Sequence, residues 1–268
     1  MAFPFTINEL THRTWVIEEN SSAFQGFQYL LEGDNQALLI DTGMGTGDLL
    51  SEVDNLTDKP VTVVCTHGHF DHIAYNYKFG EIYIHEAETE LLEKHLSPEY
   101  LIRMCKHMVP GEELRKNMEP YLQIKSGGNY HYIKNGHTFD LGDRKLEAFH
   151  IPGHSEGSIC LFERETRLLF NGDSMSEWGI LMHLDHSVSI DVFYGSLLRF
   201  EKLSETFDLL YPGHHRTPIK NEFVNDFIYC AKRIMDKTLP LRIIEDGGPY
   251  LEASYGRICI TLPLNAEY

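Results

Sequence analysis

No stretch of this sequence approaches the ~20 consecutive apolar residues that a membrane-spanning helix needs. Its start, MAFPFTINELTHRTW, lacks a basic segment followed by an apolar run, so neither export nor membrane anchoring is expected. Positive charge is scarce: 23 Lys and Arg stand against 40 Asp and Glu, a formal net charge of −17. That sign excludes a general grip on nucleic acid or on an anionic membrane. CxxC pairs are missing, and the five cysteines (Cys65, Cys105, Cys160, Cys230 and Cys259) are odd in number and scattered. They read as reduced thiols, which predicts a cytoplasmic protein. Linkers, low-complexity segments and short repeats are lacking too, so one domain over residues 1–268 is expected.

What is present is ordinary globular material, 42% hydrophobic and 24% charged, which rules against disorder or a fibre. Short apolar runs bounded by turn signals predict strands at Phe27 to Leu31, Ala37 to Ile40, Val61 to Cys65 and Ile82 to Ile84. A short helix is predicted between DTGMGTGDLL and Lys59-Pro60. From about 86 to 136 the sequence reads as a helical cap insertion, with HEAETELLEKHL and SPEYLIRMCKHM as helices and Ser97 capping the second before Pro98. Strand signals return at Leu146 to Phe149, Ser158 to Phe162, Arg167 to Phe170 and Phe207 to Leu210. A helix over Val192 to Leu203 follows that pattern. An amphipathic helix over Glu222 to Lys237, with Phe223, Phe227, Ile228, Ile234 and Met235 near one face, and a closing strand over Arg257 to Leu262 complete the plan. Two β-rich halves with helices fit two sheets packed face to face with helices outside.

Histidine is concentrated where the strand signal VTVVC ends. CTHGHFDH, residues 65 to 72, holds three of the 15 histidines and an aspartate. In an extended segment residues two apart point the same way, so His67 and His69 can share one ion while Asp71 and His72 turn elsewhere. Imidazole and carboxylate without thiolate suit zinc, iron, manganese or cobalt in a catalytic setting, whereas structural zinc usually brings several cysteines; Cys65 reads as core. Four local donors are too few for two ions, and three further strand ends supply more: His154 in IPGHSEGS, Asp173 in LLFNGDSM and His214 in LLYPGHH. His12, His85, His95, His107, His131, His137 and His150 read as solvent-facing or structural, and so do His183, His186 and His215 despite their nearness to the motif loops.

Taken in order, the HxHxDH loop, the histidine of PGH, the aspartate of an apolar-GD motif and the final PGH resemble the metallo-β-lactamase-fold hydrolase superfamily. The resemblance implies an α/β fold, the four-layer αββα sandwich. It assigns His67, His69 and His154 to a first metal, Asp71, His72 and His214 to a second, and Asp173 to a bridge between them. Asp41, in LLIDTG, matches an acidic position of that family that supports the ligand loop from outside. The expected cofactors are two divalent ions, zinc first, with iron or manganese as alternatives.

Two such ions share a water and lower its pKa, so the reading is a hydrolase whose metal-bridging hydroxide attacks an ester, thioester or lactone carbonyl of a small molecule. Asp71 and Asp173 are the carboxylates expected to take part in catalysis. An Asp173 bridge without a cysteine ligand points to the glyoxalase II-like or lactonase-like branch and away from a true β-lactamase. Lactonases of that branch carry a tyrosine soon after the aspartate; here Ser174-Met175-Ser176 follows and the nearest tyrosine is Tyr194. Iron-dependent redox chemistry on the same fold and hydrolysis of a small phosphate ester are the alternatives. Trp178, Ile180, Leu181 and Met182 are read either as an apolar acyl pocket or as core, and Met104, Met108 and Met118 either as a lid surface or as packing. Monomer and homodimer both remain open.

Overall fold

The structure is a computed structural model and describes residues 5–20, 25–108, 128–215, 218–245 and 248–266. The chain falls into two compact units, Met1–Lys134 with Thr138–Lys145, and Asn135–His137 with Leu146–Tyr268.

In the first unit a seven-stranded sheet runs in sequence order through β1 (Phe5–Thr11), β2 (Thr14–Asn20), β3 (Gln25–Glu32), β4 (Ala37–Ile40), β5 (Val61–Val64), β6 (Glu81–His85) and β7 (Asn129–Ile133). β1 to β4 pair antiparallel, as short turns allow; β4 to β7 pair parallel, which demands crossovers. These crossovers contain α1 (Leu49–Leu56), α2 (Phe70–Ile73), α3 (Thr89–His95) and α4 (Pro98–Met108). Asp48 starts α1 by accepting from the Ser51 amide and hydroxyl, and Leu49 and Val53 bury against Ile17, Leu30, Leu39 and Val63. Ser97 caps α4 as expected, its Oγ accepting from the Tyr100 amide at 3.3 Å. Within the stretch that reads as helical, β7 begins at Asn129. Met118 lies outside the described residues. Leu38 and Leu39 of β4, neighbours that face opposite ways, are both fully buried, as parallel strands covered on both faces require.

The second sheet is built from β8 (Thr138–Asp140), β9 (Lys145–His150), β10 (Ile159–Glu163), β11 (Leu168–Gly172), β12 (Leu209–Pro212) and β13 (Ile219–Lys220), ordered β13-β12-β11-β10-β9-β8. A third, antiparallel sheet holds β14 (Leu241–Ile244), β15 (Tyr250–Tyr255) and β16 (Ile258–Pro263). Helices α5 (Ile190–Glu201) and α6 (Phe223–Met235) bury Phe193, Leu197, Phe200, Phe223, Phe227 and Ile234 against Phe162, Leu169, Leu210 and Ile260. Each such side chain contributes ~1.5–3 kcal/mol of burial. The anticipated face of the last helix is thus the buried one, with Ile228 and Met235 at its margin.

Every donor singled out in the sequence follows the C-terminal end of a strand: His67 to His72 after β5, His154 after β9, Asp173 after β11 and His214 after β12. Strand ends in open α/β sheets are where chemistry is built, because the sheet fixes the backbone and the loop is free to choose its side chains.

Candidate metal centre

In the first unit the loop from Thr66 to His69 bends away from β5 at Thr66 and His67 and turns into α2 with His69, in extended conformation, at its N-cap. Its donors are close: the rings of His67 and His69 lie 4.5 Å apart and those of His67 and His72 4.2 Å apart. Asp71 and His72 each offer a donor atom within 4.8 Å of the other's. Asp41 organises this loop. Only 2% exposed and held at a positive φ of 60° just after β4, it accepts from the Thr66 amide at 2.7 Å through Oδ1. Its Oδ2 accepts from the Thr66 hydroxyl at 2.8 Å and from His72 Nδ1 at 2.8 Å. A carboxylate only accepts, so the proton of His72 sits on Nδ1 and the lone pair on Nε2. Thr66 Oγ1 donates to Asp41 and accepts from His67 Nδ1 at 3.1 Å, which leaves the lone pair of His67 on Nε2 as well.

Three residues outside the candidate ligand set hold the loop and the turn beside it from other sides. Glu88 accepts from the Gly68 amide at 2.7 Å. His95, at the end of α3, accepts from the Phe70 amide at 3.2 Å and stacks on His69, ring centroids 5.1 Å apart. Glu19, buried on β2, accepts from the amides of Met44 and Thr46 and from the Thr46 hydroxyl, fixing the turn beyond Asp41. Burial pushes the Glu19 carboxyl above the usual carboxylate range, against the pull of these hydrogen bonds. Gly43 makes that turn possible: its φ is +74°, and a Cβ would stand 2.2 Å from Glu19 Oε2. His95 and His85 are buried, the structural half of the expectation for them.

In the second unit the PGH turn that carries His154 packs Gly153 against Phe193, so close that a Cβ on Gly153 would lie 2.5 Å from that ring. His154 Nδ1 donates to the Leu181 carbonyl at 2.8 Å, which turns Nε2 inward. The parallel pair β11 and β12 delivers Asp173 and His214 side by side, with Gly213 donating to the Gly172 carbonyl at 2.9 Å. Asp173 Oδ2 then stands 3.6 Å from His154 Nε2 and 3.5 Å from His214 Nε2. Those separations exceed an ordinary hydrogen bond. They match the ~3.4 Å between two donors that each sit ~2.1 Å from one tetrahedral ion.

The donor chemistry fits divalent metal: imidazole nitrogens with their far sides fixed, carboxylate oxygens and no thiolate. Cys65, Cys160 and Cys230 are buried and free, and burial pushes Cys65 and Cys160 far up, Cys230 up to about 12 and Cys259 up to about 11. Of the residues weighed as an acyl pocket, Ile180 and Met182 belong to the core while Trp178 and Leu181 are exposed. His183 bonds to Thr261 Oγ1 at 2.7 Å and stacks on Tyr250, a structural role; Tyr194 packs against the core from its margin.

The profile of the metallo-beta-lactamase superfamily matches residues 22–214. The chain belongs to that superfamily. Among curated relatives it is similar to the acyl-coenzyme A thioesterase MBLAC2 of Bos taurus, 29% identical over 70% of this chain and 72% of the relative, and to that of Gallus gallus, 30% identical over 69% and 71%. It is also similar to the hydroxyacylglutathione hydrolase of Francisella tularensis, 25% identical over 72% of this chain and 64% of the relative. Among solved structures, the metallo-beta-lactamase of Pontibacter korlensis superposes with a TM-score of 0.61 at 14% identity, covering 85% of this chain and 99% of the other. A family member from Thermus thermophilus gives 0.62 at 18% identity, covering 86% and 83%. The α/β fold expected from the resemblance is therefore the fold of the chain, and the chain is a metal-dependent hydrolase. Among the described residues no helix is long and apolar enough to cross a membrane.

Proposed function

We propose that the two donor sets hold two divalent ions and that the protein hydrolyses acyl thioesters. In this reading His67, His69 and His154 hold one ion, Asp71, His72 and His214 the other, and Asp173 serves both; zinc is the expected ion. The observation that carries it is the place of Asp173 Oδ2, 3.6 Å and 3.5 Å from two imidazole nitrogens. One carboxylate oxygen at ligand spacing from two histidines suits an oxygen shared by two ions. The thioester class is supported by relatives whose names join an acyl group to a thiol carrier, coenzyme A or glutathione.

When bound, the ions supply a hydroxide near neutral pH and polarise the carbonyl. The chain does the rest. Asp41, Thr66 and the Leu181 carbonyl hold the protons of His72, His67 and His154 on Nδ1, so each ring presents one lone pair in one direction. Asp173 would hold the proton released as the water becomes hydroxide. It would return that proton to sulfur as the carbon–oxygen bond forms and the carbon–sulfur bond breaks, leaving an acid and a thiol. A thiol has a pKa of about 8.5 and departs without a strong acid behind it, which favours thioesters over alkyl esters at such a site.

Metal analysis by mass spectrometry on protein purified without added metal, with acyl thioester turnover on the same sample, tests the proposal. About two zinc or manganese ions per chain with turnover are expected. One iron and no hydrolysis would refute it and return the protein to the redox alternative.

A further inference from the structure

Trp178 is 65% exposed and Leu181 47% exposed, yet neither is loose. The segment that carries them lies along β16: the Ile180 amide donates to the Cys259 carbonyl at 2.9 Å, the Thr261 amide to the Ile180 carbonyl at 3.1 Å, and the Met182 amide to Thr261 Oγ1 at 2.9 Å. Such strand-like backbone sends alternate side chains to opposite sides. Ile180 and Met182 therefore enter the core, and Leu181 points away from it. The Trp178 amide donates to Ser176 Oγ at 3.2 Å, its carbonyl accepts from Cys259 Sγ at 2.9 Å, and one face of its indole stacks on His215, centroids 4.5 Å apart and planes 14° apart.

Both exposed residues are tied to expected metal ligands of the same unit. The carbonyl of Leu181 holds His154 Nδ1, and the ring under Trp178 belongs to His215, next in sequence to His214 and 6.1 Å from its ring. A large aromatic surface that is fixed in advance and left in water is costly unless something covers it in use; fixing it beforehand removes most of the ordering entropy from binding.

We propose that Trp178, seated on His215 and continued by Leu181, is the surface on which the acyl chain of the substrate lies, and that it selects chains long enough to reach it. The inference rests on the thioester reading above. The ring centroids of His214 and His215 lie 6.1 Å apart and those of His215 and Trp178 4.5 Å apart, so the indole is no farther from His214 than these two steps together. At roughly 1.2 Å per bond, about nine carbons of extended chain are enough to reach it. A dodecanoyl group is long enough to lie across the indole, and a butanoyl group leaves more of it in water. The ring carries no charge to satisfy, so the recognised group is an unbranched hydrocarbon.

The test compares kcat/KM for dodecanoyl and butanoyl thioesters of one thiol carrier, in wild type, Trp178→Ala and Trp178→Phe. The ratio of the two falls about tenfold in the alanine variant, with the change in KM, and the phenylalanine variant recovers most of it. An unchanged ratio, or equal loss at both lengths, overturns the assignment. A second readout separates it from the function itself. Trp15 and Trp178 are the tryptophans of the chain, so the emission lost in Trp178→Phe is that of Trp178. Free dodecanoate should shift this emission to the blue even in a protein that turns over no thioester, in which case the thioester reading fails and the surface stands. No shift with dodecanoate refutes the surface whatever the enzyme hydrolyses.

Discussion

Replacing Asp41 by Asn isolates a group that organises the ligand loop through three hydrogen bonds. The substitution keeps shape, and asparagine accepts the positive φ of 60° that Asp41 occupies, so backbone strain does not confound the result. What changes is the donor pattern. Asp41 accepts three hydrogen bonds, one at Oδ1 and two at Oδ2. If the amide nitrogen takes the place of Oδ2, it faces Nδ1–H of His72 donor to donor. His72 must then move its proton to Nε2, the atom a metal needs. If the amide nitrogen takes the place of Oδ1, the Thr66 amide loses its acceptor and the loop itself loosens. Either outcome disturbs an outer partner of a ligand, which costs 10- to 100-fold in metal affinity or activity, or about 1.4–2.8 kcal/mol. A buried donor left without its acceptor adds about 1–3 kcal/mol to the loss of fold stability. The assay is competition with a chromogenic chelator on protein whose melting curve shows it folded at the working temperature. Metal affinity within twofold of wild type, with the protein folded, would refute the role given to Asp41.

Asp173→Ala should lower bound metal and reduce thioester turnover by about 10²-fold or more, with a melting temperature near that of wild type because Asp173 lies outside the apolar core; full turnover in the stripped variant is the contrary result. Gly43→Ala forces a Cβ against Glu19 at a left-handed φ and should cost about 1–3 kcal/mol in urea unfolding; an unchanged midpoint would show that the turn is not held as described. Burial raises the thiol of Cys259 to about 11 and that of Cys230 to about 12, with Cys65 and Cys160 higher still. Raised values mean less thiolate, about one part in a thousand for Cys259 at pH 8, so disulfide reagents should spare these four in the native protein and react with all five cysteines after unfolding. A prompt native yield of two or more thiols would contradict that burial.

The sequence was most informative where signal is local. β4 runs over Ala37–Ile40 as its apolar run predicts, and β5 and β10 lie within a residue or two of their predicted bounds, because a buried parallel or central strand is written as consecutive branched and aromatic residues. β2 escaped notice since Glu18 and Glu19 interrupt its apolar pattern, and the reason for a buried Glu19 lies 25 and 27 residues away, at Met44 and Thr46. β7 was hidden differently: NYHYI is an edge strand with polar and aromatic residues in place of a hydrophobic run. Among site residues the ligand candidates were legible from type and spacing. Glu88 and His95 were not, because their partners, the Gly68 and Phe70 amides, sit 20 and 25 residues away and leave no periodic trace.

The devices that orient the donors are built from the chain alone. An imidazole that is to offer one nitrogen to a metal needs the other occupied, and for the three proposed ligands the occupant is a carboxylate for His72, a hydroxyl for His67 and a backbone carbonyl for His154. None of the three contacts depends on what is hydrolysed. The last of them does more than one task, since the carbonyl that aims His154 belongs to Leu181, whose side chain is exposed beside Trp178. The segment 178–182 thus holds the imidazole of His154 through its backbone and presents exposed apolar side chains, and these two contacts are made by different atoms. Changing Trp178 alters what can lie on that surface without touching the hydrogen bond that aims the imidazole. On one strand-like segment, the proposed ligand is aimed by main chain and the proposed acyl surface is made of side chain.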